Sequence, residues 1–329
     1  MGLNHMITME SLPDSMQAWI WAKSERAISL ATQAMPDPGP GDVLIANKAI
    51  GLNPVDWKFI DAALGEQWSD GHIPGVDGAG VVVAVGDESL RHWLGVPVCY
   101  HQSLLRNGSF AEYTAIDART IMRMPERMSW SEAAAFPCPV MTAWQAIEKI
   151  PTPLDAEILI TGASGAVGRI LVQLARARGF HITVIASGAR HDSLMELGAH
   201  RCVESASQLE ARYFAVFDTV GAAHAETLAS YVEANGHLIC IMGRLEKAVV
   251  PLFSTAISQH EVALNALHGT GSEAQWQRFA REGERLLHQQ YQGGLKGPDM
   301  LVEPFERLDA ALLEFKSHRK ALKYGIELG

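Results

Sequence analysis

AEILITGASGAVGRILVQLARARGFHITVIASGARHDSLMELGA, Ala156 to Ala199, reads as strand, turn, helix and strand in immediate succession. Glu157 to Thr161 is a short β-branched apolar run of the kind that fills a parallel strand buried on both faces. Gly162 to Gly168 is a turn of small residues, and Arg169 to Arg178 carries apolar side chains at helical spacing. His181 to Ala186 completes a βαβ unit. Such a turn aims free backbone N–H groups and the positive end of a helix dipole at an anion, and its small residues let a pyrophosphate approach. The pattern G-x-G-x-x-G is met with Ala163 in the first place, then Gly165 and Gly168. In this strand-turn-helix setting it reads as a dinucleotide site, with Ser164, Gly165, Ala166 and Val167 against the phosphates.

The end of the second strand chooses between coenzymes. An NAD site usually has Asp or Glu about twenty residues past the glycine turn, on the ribose 2′-OH, where its charge would repel a 2′-phosphate. Here Ser187-Gly188-Ala189-Arg190-His191 stands at that point, with no acid before Asp192. Ser187 can donate to a phosphate oxygen and Arg190 can pair with it, so NADPH is the expected coenzyme.

Working outward, strand and helix go on alternating. Asp192 to Leu197, Cys202 to Glu204, Ala215 to Thr219 and His237 to Met242 continue the series, with Gly221 and Gly243 closing the last two strands. Alternation of this kind implies a doubly wound parallel α/β sheet of the Rossmann type. Ligands in such sheets sit beyond the carboxyl ends of strands, which places Gly221 and Gly243 with the phosphate turn. Before Ser129 the pattern is different. Met16 to Leu30 alternates as an antiparallel hairpin, and strands are expected at Asp42 to Ala49, Val81 to Val85, Val96 to His101 and Gly108 to Ala115. Gly51 to Lys58 is read as an exit loop with Asn53 held extended ahead of Pro54. After Ala266 come helices at Glu273 to Gln289 and Arg307 to Ser317, a strand at Leu301 to Phe305, and a final strand, Leu322 to Leu328, expected to return to the first domain. The expected division is a polar, disordered leader over 1–15, a β-rich domain over 16–130 and 268–329, and the dinucleotide-binding domain over 131–267.

Composition narrows the function. The 329 residues are 48% hydrophobic, enough to fill two cores, and the net charge of -10 argues against nucleic acid or anionic membrane as partner. No apolar run has the length of a membrane span, and residues 1–16 lack the basic and apolar blocks of a signal peptide, so a cytoplasmic protein is expected. Cys99, Cys138, Cys202 and Cys240 are widely spaced and read as buried thiols rather than disulfides or a structural zinc site.

GLNPVDWK at Gly51 to Lys58, PGVDGAGVVVAVG at Pro74 to Gly86, GSFAEY at Gly108 to Tyr113, AAAFPCPVMTAW at Ala133 to Trp144 and the GASGAVG turn follow one another in order. Together they resemble the zinc-independent quinone oxidoreductases, zeta-crystallin and the plant enone reductases, within the medium-chain dehydrogenase/reductase superfamily. Ala166, where relatives often have Gly, and Lys58, where several have Tyr, depart from that pattern. The resemblance implies a β-rich, GroES-like catalytic domain interrupted by the Rossmann domain, and a homodimer paired through the edge strand His237 to Met242. Zinc-dependent members hold metal with Cys at the first marker, His-Glu at the second and a further Cys or Asp. Asn53 and Val76-Asp77 stand at the first two places, so no soft or imidazole ligand is expected there and no metal. Without a Lewis acid, alcohol oxidation recedes and electron-poor acceptors remain.

The implied reaction is hydride transfer from NADPH to a quinone or an α,β-unsaturated carbonyl, a small-molecule partner. Lys58 would hydrogen-bond the nicotinamide ribose or the developing enolate, Asn53 would position nicotinamide or substrate, and Asp56 would fix the loop. Thr142 and Lys323 match coenzyme-contacting positions, and Tyr113 is a further candidate proton donor. An NADPH-binding protein without turnover and a zinc-free alcohol dehydrogenase are the competing readings.

Overall fold

The computed structural model describes residues 7–8, 12–61, 67–317 and 322–329, and the chain divides into two compact units. The first comprises Met1–Cys138, Asn265–Gly294 and Asp299–Gly329, and the second Pro139–Leu264 and Leu295–Pro298.

In the first unit β1 (Ile7–Thr8), β2 (Ser15–Ala22), β3 (Ala27–Ala34) and β4 (Asp42–Leu52) lead into helix α1 (Pro54–Asp61). Then come β5 (Asp77–Val85), β6 (Pro97–His101), β7 (Tyr113–Asp117), β8 (Ile121–Arg123) and α2 (Trp130–Ala134). The hairpin β2–β3 forms as its alternation predicts, Ser15 opposite Ala34. β4 is buried along most of its length because it pairs with β5 on one side, while β7 and the C-terminal strand share the other.

The chain departs from its sequence reading in four places here. α1 occupies what was taken for a loop: Pro54 supplies a helix-ready φ at the first position and Asp56 accepts the N–H of Asn53 at 2.7 Å. The strand expected from Gly108 starts only at Tyr113, because Gly108 and Phe110 spend their N–H groups on Ile73 and Pro74 carbonyls across a loop. Ile7 and Thr8, within the leader expected to be disordered, pair antiparallel with Val85 and Ala84; the remainder of 1–11 lies outside the described residues. α2 belongs to the first unit rather than the second, since β4 has Gly51 where it passes under α2, and a Cβ there would lie 2.1 Å from the Ala134 carbonyl oxygen.

The second unit runs α3 (Pro137–Ile147, from Pro139 on), β9 (Glu157–Thr161), α4 (Ala166–Ala177), β10 (His181–Ile185), α5 (His191–Leu197), β11 (Arg201–Val203), β12 (Tyr213–Asp218), α6 (Ala222–Thr227), β13 (Val232–Cys240) and β14 (Ser258–Glu261). Its six strands are all parallel, in the order β11-β10-β9-β12-β13-β14. The order reverses between β9 and β12, the switch point where such sheets bind ligands. β13 is not the edge strand that the sequence reading made it: β14 covers it, Leu238 opposite Gln259.

The chain then returns to the first unit through α7 (Ala266–Thr270), α8 (Glu273–Tyr291), β15 (Asp299–Pro304), α9 (Leu308–Ser317) and β16 (Leu322–Glu327). β16 pairs antiparallel with β4, Tyr324 opposite Leu52, as the final strand was expected to do. No helix among the described residues is long and apolar enough to cross a membrane.

Candidate active site

In the second unit the glycine turn sits between β9 and α4 at the switch point. Gly162 has φ +61°, and a Cβ on it would lie 2.1 Å from Thr219 Oγ1, so only glycine makes this turn without strain. Gly165 is the N-cap of the 12-residue α4 and offers no capping side chain. The first-turn N–H groups of Ala166, Val167 and Gly168 therefore keep the geometry of an anion cradle. Ser164 and Gly165 are at least partly exposed beside it, and Thr142 in α3 is partly exposed. This arrangement fits the pyrophosphate of a dinucleotide.

Beyond β10, Ser187 is exposed and Arg190 half-buried. The acid that the linear sequence lacked arrives from elsewhere: Glu204, just past β11, takes the Gly188 N–H at 2.8 Å. β12 ends on Asp218, fully buried, which sequence reading passed over. Its Oδ1 accepts the N–H groups of Val220 and Gly221 at 3.0 and 2.8 Å, and its Oδ2 accepts Thr161 Oγ at 2.6 Å and His224 Nδ1. Gly221 thus turns its N–H inward to Asp218, while Gly243, at φ +101°, takes a conformation that favours glycine.

The first unit holds a buried polar centre around Asp77, at the start of β5. Asn53 sits between β4 and α1, where its Nδ2 donates both protons, to Gly51 O at 3.0 Å and Asp77 Oδ2 at 2.9 Å, and its Oδ1 accepts Lys323 Nζ. Both amide protons of Asn53 are thereby committed inside the protein, and its Oδ1 holds the Lys323 ammonium. Lys323, on β16, is 2% exposed with Nζ 4.0 Å from Asp77 Oδ2. Its ammonium lies in this buried centre, against Asn53 Oδ1. Asp77 also accepts His101 Nδ1–H on Oδ1 at 2.8 Å and the Cys138 N–H on Oδ2 at 2.9 Å. Asp56 is 1% exposed, and its second oxygen has no hydrogen-bond partner among the described residues. Burial, reinforced by the Asp77 charge and opposed by the Asn53 N–H and Lys323, pushes its pKa up to about 7. Lys58, on α1, is half-buried with Nζ 5.5 Å from the centroid of the Trp57 ring, and desolvation lowers its pKa. Tyr113, the other proton-donor candidate, opens β7 partly exposed.

Asp77, His101 and Cys138 place three potential metal-ligand atoms within 4.8 Å of one another. The expectation that no soft or imidazole donor is at hand is therefore corrected. His101 arrives because β5 and β6 pair with Asp77 opposite His101, and Cys138 because α3 starts beside the Asp77 carboxylate. As a donor set these three suit zinc, but Asp77 and His101 are hydrogen-bonded to each other rather than spaced for a metal. Asp77 Oδ1 and His101 Nδ1 are in hydrogen-bond contact at 2.8 Å, whereas two ligands of a tetrahedral zinc at bond lengths of about 2.0–2.1 Å stand roughly 3.3 Å apart. A dication bound to Asp77 would also have to share that carboxylate with the Lys323 ammonium, whose Nζ lies 4.0 Å from Oδ2, and the two like charges would repel.

The alcohol dehydrogenase GroES-like domain family matches residues 39–126. A 2-methylene-furan-3-one reductase of Solanum lycopersicum is 31% identical over 255 residues, 72% of this chain and 64% of the relative. An NADPH-dependent alkenal/one oxidoreductase, chloroplastic, of Arabidopsis thaliana is 26% identical over 255 residues, 71% of this chain and 64% of the relative. The chain thus spans a little under two thirds of the length of these curated relatives. An alcohol dehydrogenase superfamily protein from Novosphingobium aromaticivorans superposes with a TM-score of 0.82 at 25% identity, covering 95% of this chain and 100% of that one.

Proposed function

We propose that this chain, a member of the medium-chain dehydrogenase/reductase superfamily, transfers hydride from NADPH to an electron-poor acceptor, a quinone or an α,β-unsaturated carbonyl, without zinc. The observation that carries the reading is the Gly162–Gly168 turn, set at the head of α4 and at the switch point of a parallel sheet. The two plant relatives, whose names are those of enone-type reductases, support the acceptor class.

When bound, the nicotinamide coenzyme supplies the hydride, and the rest falls to the chain. The first-turn N–H groups of α4 hold the pyrophosphate, with Thr142 and Gly243 as further coenzyme contacts. Ser187 and Arg190 receive the 2′-phosphate of NADPH; Glu204 beside Gly188 opposes it, so the preference is a balance of these charges. Lys58 takes the negative charge that grows on the acceptor oxygen, a role suited to an ammonium already partly desolvated. Asn53, Asp77 and Lys323 act by positioning. Homodimerisation through β14, the last strand in the sheet order, and a cytosolic site of action belong to the same proposal.

The test is the loss of NADPH absorbance when purified protein meets a panel of quinones and enones. Consumption above background is expected. Tight NADPH binding without consumption points instead to a binding protein, and NADP+ reduction by simple alcohols to an alcohol dehydrogenase.

A further inference from the structure

We propose that the Lys323 ammonium is the resident cation of the first unit's buried centre and that its presence is what keeps Asp77, His101 and Cys138 from holding a divalent metal ion. This rests on the zinc-free part of the proposed function and gives its cause; its test reads metal uptake and not turnover, so the two can fail separately.

Three observations combine. The carboxylate of Asp77 is fully buried, and buried charge requires compensation. Its lone pairs are met by Asn53, His101 and the Cys138 N–H, and the ammonium of Lys323, itself 2% exposed, stands 4.0 Å away. Around the same carboxylate stand an imidazole and a thiol, which with a carboxylate make up the three protein ligands of an open zinc site. Lys323, on β16, brings a positive charge to this buried carboxylate. Removing that charge leaves Asp77 uncompensated next to two further donors. A divalent ion would then both satisfy the carboxylate and separate Asp77 from His101 by the few tenths of an ångström that coordination needs.

The inference makes a gain-of-function prediction for the full-length chain. Wild type, Lys323→Met and Lys323→Met/Cys138→Ser proteins, stripped with chelator, are titrated with Co2+, which gives a thiolate-to-cobalt charge-transfer absorption when a cysteine ligates it. Lys323→Met should take up one equivalent with that absorption and melt at higher temperature with Co2+ than without. Wild type should show neither change, binding at least a hundred-fold more weakly, and the double variant should lose the absorption. Lys323→Gln, which keeps a donor for Asn53 Oδ1 and drops the charge, is titrated in parallel in case Lys323→Met does not fold. A thiolate–cobalt absorption in the wild type overturns the inference, as does a folded Lys323→Met or Lys323→Gln protein that takes up no cobalt through Cys138. The absence of the absorption in the wild type is read without any variant.

Discussion

Asp56→Asn should change how stability depends on pH, in a direction fixed by the burial of this side chain. The folded carboxyl titrates at about 7 and the unfolded one at 3.8. Between those values the native state keeps a proton that the unfolded chain has released, so the native state binds more protons and stability falls as pH rises through the window. Three units at about 1.36 kcal/mol each give a cost of about 4 kcal/mol above pH 7, a large part of the roughly 5–15 kcal/mol typical of a whole fold. Asparagine never ionises, and its side-chain oxygen can still accept the Asn53 N–H that Asp56 now takes at 2.7 Å. Urea unfolding at half-unit steps from pH 4 to 8.5 measures the effect. The variant should match wild type near pH 4 and exceed it by about 4 kcal/mol at pH 8. His72 and His268, held neutral by burial with pKa values of about 4 and about 3, titrate with the opposite sign but are common to both proteins and cancel in the difference. Two parallel curves, or a variant less stable than wild type at pH 8, would refute the reasoning.

Three other outcomes follow from the same geometry. Arg190→Ala should weaken NADPH about 5- to 30-fold and leave NADH unchanged, as read by nucleotide fluorescence titration, since only the 2′-phosphate uses a charge-assisted contact there. Gly162→Ala should lower stability by at least about 2 kcal/mol, from the left-handed φ and the contact with Thr219, and cut NADPH affinity ten-fold or more; melting curves and titration report both. His268→Phe should relieve acid sensitivity: the folded imidazole stays neutral, so stability is complete above pH 6.5 and declines below it, by about 3 kcal/mol at pH 4, a loss the phenylalanine protein should be spared in thermal melts.

Local chemistry explains what could be read from the chain beforehand. The βαβ stretch was legible because turn, helix dipole and strand periodicity are all written within some thirty consecutive residues. α1 is written locally too, in Asn53-Pro54 followed by Asp56, but a proline after a strand marks a loop as readily as a first helical residue. The Asp77 centre was not legible. His101 reaches Asp77 only through the register of β5 on β6, and Lys323 reaches Asn53 across 270 residues of sequence. Glu204 beside Gly188 was hidden in the same way, since its position depends on where β11 lies against β10. β13 lost its place at the sheet edge to Ser258–Glu261, a strand too short and polar to announce itself.

The antiparallel pairing of β16 with β4 has a temporal side. β4 leaves the ribosome early, yet the strand that completes its flank and brings in the ammonium is made after the whole second unit. That unit, nearly continuous in sequence, can therefore mature while the older half of the protein still waits for its last strand, and a message cut short before codon 322 would yield a finished parallel-sheet unit attached to an unfinished β-rich one.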